Sequence, residues 1–600
     1  MFSQEQIAAT RRRVFDLVHF SFEKDIAVSA SPGLRVELDG QGARIAAESL
    51  PALARGFFRL AQEVSAGKSA FSLREEKRFD SCGCFLDMSR NGVMTVSACK
   101  RYMDYSAALG LNTIVLYTED TYTVPEYPYM GYLRGRYTPE ELRELDAYAA
   151  ELGIELVPCI QTLAHLGQFL QWKPNESLKD QPTCLLVDEP DTYAFIEAEI
   201  RAIRACVSGS RLHIGMDEAH GVGLGAYYAK HGPCDRFALL NRHLERVEAL
   251  CRKYGFRPMM WSDMFFRLGS KSNEYYDKEA NIPPSVIAAL PDVDLCYWDY
   301  YHTDESWYEH MLTQHEKMGP NTLFAGGIWT WSGFLPQVEL TYRTMEPGLR
   351  CCARHHVKTV LATMWGDDGA ETDCFLALSQ VPIFSEFCWR GEACDREAVV
   401  STAEFLTGLP RQAYAAFGLF YPGEKDRRVG KALIYCDLLY PLGPDEATLR
   451  EMLPRFEQAR AQLSCAMERA DCRYADALFD ICIQKARLLL ELRPRYLAGD
   501  RDWLRAAVQE SIPRLAEAYA RLRDLHAAQW EATRKRNGWE VMALRYGAVL
   551  GRLEDVRRAI ARYADGELNE LCELEETPLP NARKGGMQFY SVYVSPVYSL

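Results

Sequence analysis

Arg211-Leu212-His213-Ile214-Gly215-Met216-Asp217-Glu218 decides how the rest of the chain is read. The first five residues have no helical period and follow a turn at Ser208-Gly209-Ser210, so they predict a short buried strand. Two adjacent carboxylates end it, and Gly221, Gly223 and Gly225 follow, so the pair opens a glycine-rich loop. Neighbours on a strand point to opposite faces, so Asp217 and Glu218 serve one site only where strand gives way to loop. An arbitrary Asp-Glu pair is ordinarily solvated surface. An apolar strand before the pair and glycines after it argue for a site instead.

Working outward, strands are expected at 83–88, 113–117, 155–160, 212–216, 258–262, 295–300, 323–328 and 359–364, with amphipathic helices in most intervals. One such helix runs from Pro139 to Leu152, with Thr138 as N-cap and Gly153 past its end. Eight strands alternating with helices predict a (β/α)8 TIM barrel. The weakest interval is 264–294, a long loop with Asn281-Ile282-Pro283-Pro284 before a short helix. Residues 1–78 read as a small α+β domain, with strands near 26–28 and 34–38 and a helix capped by Ser49. Residues 79–398 hold the barrel. Residues 399–600 turn helical, with apolar repeats such as Phe456, Ala459, Leu463 and Leu515, Ala518, Leu522. A strand-like tail is expected at 588–594. The helical domain is also a candidate for self-association as a homodimer.

In a TIM barrel the C-terminal ends of the strands carry the chemistry. Here those ends read Asp87–Gly92, Tyr117–Asp120, Gln161–His165, Asp217-Glu218, Trp261–Asp263, Tyr297–His302, Trp329–Gly333 and Trp365–Asp368. Five of the eleven Trp fall at four consecutive ends, which turns ordinary core filler into a pattern. Aromatic faces interleaved with carboxylates suit a sugar, whose C–H faces stack and whose hydroxyls donate.

These residues carry a resemblance. His-x-Gly-x-Asp-Glu at 213–218 is similar to the motif that ends the fourth barrel strand of glycoside hydrolase family 20, the β-N-acetylhexosaminidases, with Met216 where that family usually has Gly. Arg55–Leu60 resembles the helix of the small domain that precedes the barrel there. The resemblance implies that Asp217 orients the substrate's acetamido group and that Glu218 is the general acid/base. It makes Trp261, Trp298, Trp365 and Asp367 pocket residues, with Tyr300, Trp329 and Trp331 as further walls. It implies that His165 supports Glu218, with Glu119 or Asp120 behind it; a structural histidine is the alternative. Cys82 falls where better-known members place a sugar-binding Arg, which leaves gluco versus galacto preference open. Arg90 is expected to pair with Asp87 inside the barrel.

The implied activity is exo-acting removal of terminal N-acetylglucosamine, or N-acetylgalactosamine, by substrate-assisted retaining hydrolysis, with no cofactor and no metal. The partner is an oligosaccharide or glycoconjugate ending in N-acetylhexosamine. The alternatives are another barrel glycosidase or transglycosylase, or a non-catalytic carbohydrate-binding protein. Family 18 enzymes lead into their acid with a spaced Asp run that is missing before Glu218. A metal hydrolase would need ligands such as His213 and His165, but no His-Glu-x-x-His run occurs. A formal net charge of −14 argues against nucleic acid. Nineteen scattered Cys, no signal-like apolar run near Arg11–Arg13 and no apolar stretch long enough to span a bilayer predict a cytoplasmic protein without a membrane partner.

Overall fold

In the computed structural model the chain is described over residues 2–576, except 320, 332, 368, 422–428 and 442. The tail expected as a strand at 588–594 lies outside the described residues. A helix at Gln4–Leu17 opens the chain, fixed by a capping box between Ser3 and Gln6. Strands β1 (Ile26–Ala30), β2 (Leu34–Leu38), β3 (Ala43–Ala47) and β4 (Phe71–Glu75) form a sheet in the order β1-β3-β2-β4. Leu34, Val36 and Leu38 of β2 are buried and their alternates are not, the period a sheet covered on one face requires. The covering helix is Leu50–Ser65. Ser49 caps it by accepting the Ala52 N–H at 3.3 Å, and Pro51 sits in its first turn. This helix lies between the sheet and the barrel, so even Arg55 is buried. Its guanidinium pairs with Glu75 at 2.5 Å and with Glu386 at 2.9 Å, tying β4 to a helix on the barrel's flank.

The barrel strands are β5 (Ser81–Asp87), β6 (Thr113–Glu119), β7 (Glu155–Ile160), β10 (Arg211–His213), β11 (Arg257–Trp261), β12 (Asp294–Trp298), β13 (Thr322–Gly327) and β14 (Thr359–Met364). A short hairpin, β8 (Lys179–Gln181) and β9 (Cys184–Leu185), is inserted after β7. The eight strands pair in parallel and close where Thr359–Met364 of β14 aligns with Ser81–Leu86 of β5. All eight were expected. β10 stops at His213 instead of 216, because Gly215, Met216 and Glu218 take left-handed backbone that no ladder accommodates. Gly215 is required as well as permitted: a Cβ there would stand 2.1 Å from Gln161 Oε1.

Beyond the barrel, helix Arg396–Thr407 runs across the boundary expected at 398. Helices follow at Arg411–Gly418, Val429–Tyr435, Glu446–Leu463, Ala470–Leu497, Ile512–Thr533 and Trp539–Ala564. Their apolar faces, for instance Phe456 and Leu463 or Leu515 and Leu522, are buried within the chain. No helix among the described residues is long and apolar enough to cross a membrane. The helical region also reaches the C-terminal mouth of the barrel. Between its last two long helices, Arg534 donates to the carbonyls of Ala370 and Thr372, both at 2.9 Å. Lys535 N–H bonds Val93 O at 2.8 Å, Asn537 bonds Leu133 O at 2.7 Å, and Asn91 Nδ2 bonds both Gly369 O and Gly538 O. Residues 534–538 thus tie together the loops after β5, β6 and β14.

Arg534→Ala strips two buried carbonyls of their donor, each worth about 1–3 kcal/mol when left unpaired. The expected loss is roughly 2–5 kcal/mol, read as a fall in the midpoint of denaturant unfolding at unchanged slope. A midpoint within experimental error of the unsubstituted protein would show that the clamp adds nothing.

Candidate active site

Asp217 and Glu218 stand at the C-terminal mouth of the barrel, just past the end of β10. The Asp217 carboxylate is buried and gripped from two sides. Gln161 Nε2, past the end of β7, donates to Oδ1 at 2.7 Å, and His165 Nε2 lies 3.1 Å from Oδ2. The same imidazole nitrogen is 3.5 Å from Glu218 Oε2, so His165 bridges the pair. Glu218 is the more open of the two, with 38% of its side chain accessible against 12% for Asp217. Its main-chain N–H donates to Asp263 Oδ2 at 3.0 Å. The Met216 N–H goes to Gln161 Oε1 at 3.2 Å, so one glutamine holds both the turn and the acid that follows it.

The electrostatics separate these groups. Burial alone would push Asp217 up, but the His165 charge and hydrogen bond, the Gln161 bond and Arg90 together bring its pKa down to about 2. Burial disfavours the His165 imidazolium, yet the Asp217 carboxylate outweighs it and carries the pKa up to about 9. Asp263 moves the other way. Burial, then the Asp217 charge, raise it well above the usual carboxylate range, and its Oδ1 has no hydrogen-bond partner. His213 is buried with its pKa lowered to about 3, and its Nδ1 accepts the Gly215 N–H at 3.1 Å, so it is a neutral ring that shapes the turn.

The aromatic residues expected around the acids are together. Trp261, Tyr300, Trp329, Trp331 and Trp365 belong to one buried cluster in the barrel interior, with Trp298 packed on it. Trp329 stacks on Trp331 at 4.1 Å, Trp298 on Tyr300 at 5.3 Å, and Trp261 stands 6.1 Å from Trp365. Trp261, Trp329 and Trp331 are almost fully enclosed, Trp365 is 9% exposed, and Trp298 is the most open. Trp298 and Trp365 keep the more exposed edges of the cluster.

Two expectations change here. Cys82 lies near the start of β5, with its N–H on Asn112 Oδ1 at 2.9 Å. That is the N-terminal end of the barrel, the opposite end from Asp217. The cation at the catalytic mouth is Arg90. Its guanidinium pairs with Asp367 at 2.6 Å and reaches Glu119 at 3.5 Å, over the rings of Tyr117 and Trp365. Nor does Arg90 pair with Asp87 through its side chain. Asp87 instead accepts the main-chain N–H groups of Ser89, Arg90 and Gly366, pinning the first turn of this loop to the last strand's end. The parallel pairing of β14 with β5 sets Arg90 and Asp367 side by side, which no linear reading supplies.

Glu119 and Asp120 are near but do not stand behind His165. Glu119 accepts from the Tyr117 hydroxyl at 2.9 Å, and Asp120 is buried against Arg134 at 3.0 Å. Sequence reading passed over Gln161, Tyr117, Asp263 and the role of Arg90. Gln161 and Asp263 do stand at strand ends, the one signal that marked them. Glu119, His165, Met216 and Glu218 all have φ between 49° and 72°, unusual for residues with a side chain and concentrated where the strands end.

The eight parallel strands close into a TIM barrel whose C-terminal end brings together paired acids, a histidine bridge, an arginine–aspartate pair and a cluster of tryptophans. The comparisons agree. The family model described as glycosyl hydrolase family 20, catalytic domain, matches residues 79–282, and that described as glycoside hydrolase 20C C-terminal domain matches 421–593. The chain belongs to glycoside hydrolase family 20. Among curated proteins it is 29% identical over 171 residues to hexosaminidase D of Bos taurus, covering 26% of this chain and 48% of that one. It is 29% identical over 147 residues to a beta-hexosaminidase of Vibrio furnissii, covering 22% and 24%. The chain thus spans less than half the length of the curated relatives it matches. Among solved structures, a GH20 exo β-N-acetylglucosaminidase from Vibrio harveyi shares the fold with a TM-score of 0.52 at 16% identity, over 70% of this chain and 74% of that one. A Streptomyces plicatus β-hexosaminidase does so at 0.52 and 18%, over 68% and 90%.

His165 gives a pH signature. Its pKa rises on folding from near 6.5 to about 9, so its stabilisation is fully present below about 6.5 and is lost as pH climbs through 9. Unfolding free energy of the native sequence should fall by roughly 1–3 kcal/mol across that window. His165→Gln should flatten that slope. Parallel pH–stability curves for the two proteins would mean that His165 is not the titrating partner of Asp217.

Proposed function

We propose that the protein is an exo-acting β-N-acetylhexosaminidase that releases terminal β-linked N-acetylglucosamine, or N-acetylgalactosamine, from an oligosaccharide or glycoconjugate. The mechanism is retaining and uses the substrate's own 2-acetamido oxygen as nucleophile. One observation carries this reading: Asp217 is held ionised by Gln161 and His165, with both oxygens engaged. A carboxylate held that way is a poor nucleophile and a good stabiliser of positive charge. Among the described residues, other carboxylates at the mouth have calls on them of their own. Asp367 and Glu119 face Arg90, and Asp263 is buried with its proton favoured. This supports the substrate's own acetamide as the attacking group.

Glu218 then gives its proton to the leaving oxygen and takes one from the incoming water. As the acetamide oxygen closes on the anomeric carbon, positive charge grows on its nitrogen, and Asp217 meets it. The charge exists only as the ring forms, so the interaction favours the transition state over the ground state. Holding the acetamide between Trp261, Trp298 and Trp365 makes the attack intramolecular, an effect that reaches roughly 7–11 kcal/mol. Arg90 and Asp367, a donor and an acceptor side by side, suit the hydroxyls of the terminal sugar. The nineteen cysteines are unpaired thiols, most of them buried, which supports a reducing, cytoplasmic setting. Self-association through the helical domain is a separate proposal, tested by sedimentation at micromolar concentration.

Glu218→Gln is expected to cost about 10²–10⁴-fold with substrates whose leaving group needs a proton, and less with activated aryl glycosides. Equal losses on both would remove Glu218 from the acid role. Asp217→Asn should weaken binding of a thiazoline mimic of the bicyclic intermediate far more than binding of product sugar, as inhibition constants would show. Comparable turnover of aryl β-glucoside and aryl N-acetyl-β-glucosaminide would overturn substrate assistance.

A further inference from the structure

The pocket accounts for the sugar on one side of the scissile bond. The other side is bounded by the chain leaving Glu218 and by the long loop after β11. His220 stands two residues past Glu218, with its N–H on the Glu218 carbonyl at 2.6 Å. Its imidazole Nε2 meets the Tyr275 hydroxyl at 2.6 Å. Tyr275 lies 5.5 Å from the ring of Trp298, so the pocket wall continues outward without a break. The loop carrying Tyr275 is held in shape by left-handed turns at Asn273 and Tyr276 and by the Tyr276 hydroxyl, which accepts the Trp298 N–H at 3.2 Å.

This rim carries two arginines whose contacts are all with main chain or a ring. Arg267 stacks over Tyr275 at 4.9 Å and donates to the Asn273 carbonyl. Arg236 donates to the carbonyls of Val222 at 3.1 Å and His220 at 2.7 Å. Among the described residues neither has a carboxylate within ion-pairing distance, whereas Arg90, Arg134, Arg242 and Arg257 each have one. Burial and the charge of Arg267 both hold Arg236 below the usual guanidinium range, and the same two causes lower His220. In a chain of formal net charge −14, two uncompensated cations beside the proton donor form a local positive field at a half-open mouth.

Resting on the family 20 activity proposed above, we propose that His220, Tyr275 and Arg267 form the leaving-group subsite, and that it selects aglycones bearing a negative charge. The shared chemistry is an oxyanion next to the released hydroxyl, either the carboxylate of a uronic acid or a sulfate ester on a hexose. Arg267 is the group that meets it, since its fork is free of any carboxylate. Arg236 adds field while bracing the loop.

The test compares three disaccharides that share one terminal N-acetylglucosamine, linked to a neutral hexose, to a hexuronic acid and to a sulfated hexose. An aryl N-acetyl-β-glucosaminide serves as reference. The native sequence should show kcat/KM about tenfold or more higher for at least one anionic disaccharide than for the neutral one, the scale of one charge-assisted hydrogen bond. The better of the two anionic arms names the source of the charge. Added salt should shrink the preference. Arg267→Gln should bring the ratio close to one, and Arg267→Lys should keep part of it, with unchanged circular dichroism showing both fold. Equal kcat/KM for all three disaccharides, or a ratio that Arg267→Gln leaves intact, overturns the proposal. Failure of the aryl glycoside itself to turn over would instead defeat the hexosaminidase reading and this inference with it.

Discussion

Keeping Asp217 ionised at the end of an aromatic-lined barrel is the constraint around which the site is arranged. A carboxylate there loses water on most sides, and desolvation favours its neutral form. The fold answers with a donor from the neighbouring strand's end, Gln161, and a cation from the loop after it, His165. Both come from β7, and the parallel pairing of β7 with β10 places them. Burial first, and then this same charge, raise Asp263 behind it. Division of labour between acids thus arises from burial and neighbours, the usual way one fold holds both forms at one pH.

Much of this was legible in the chain. The eight barrel strands follow from alternation and turn chemistry, and Asp217-Glu218 from an apolar strand meeting glycines. The tryptophans were legible because five at consecutive strand ends is not what core filling alone would place. What escaped notice shares one property: it depends on contacts between residues far apart in sequence. Arg90 meets Asp367 across 277 positions because the barrel closes between its last strand and its first. The resemblance puts Cys82 in the place of a sugar-binding arginine, but Cys82 lies near the start of β5, at the opposite end of the barrel from the acids. Gln161 and Asp263 stand at strand ends in the sequence, but nothing there shows that each holds a main-chain N–H of the turn that carries Asp217 and Glu218.

The helical region reads from sequence as a separate bundle, and its apolar periodicity says only that it packs on something. Its bonds say more. Residues 534–538 are the common partner of three loops that include the Arg90 and Asp367 turns, and Glu371, just beyond Asp367, is buried between Lys431 and Arg545. A buried triad of that kind is costly to dehydrate and contributes position more than stability. The placing of Arg90 and Asp367 therefore depends on chain that lies well beyond the last barrel strand.

Met216, directly ahead of the acids, takes φ at 72° with its side chain fully enclosed. A left-handed turn costs a residue with a side chain roughly 1–2 kcal/mol, while burying a methionine returns about 1.5–3 kcal/mol. The two are close to balance, so an enclosed side chain offsets the backbone cost that a bare turn would avoid. The turn ahead of the acids therefore doubles as a packing anchor, fastening the hydrophobic core to the start of the loop that carries them.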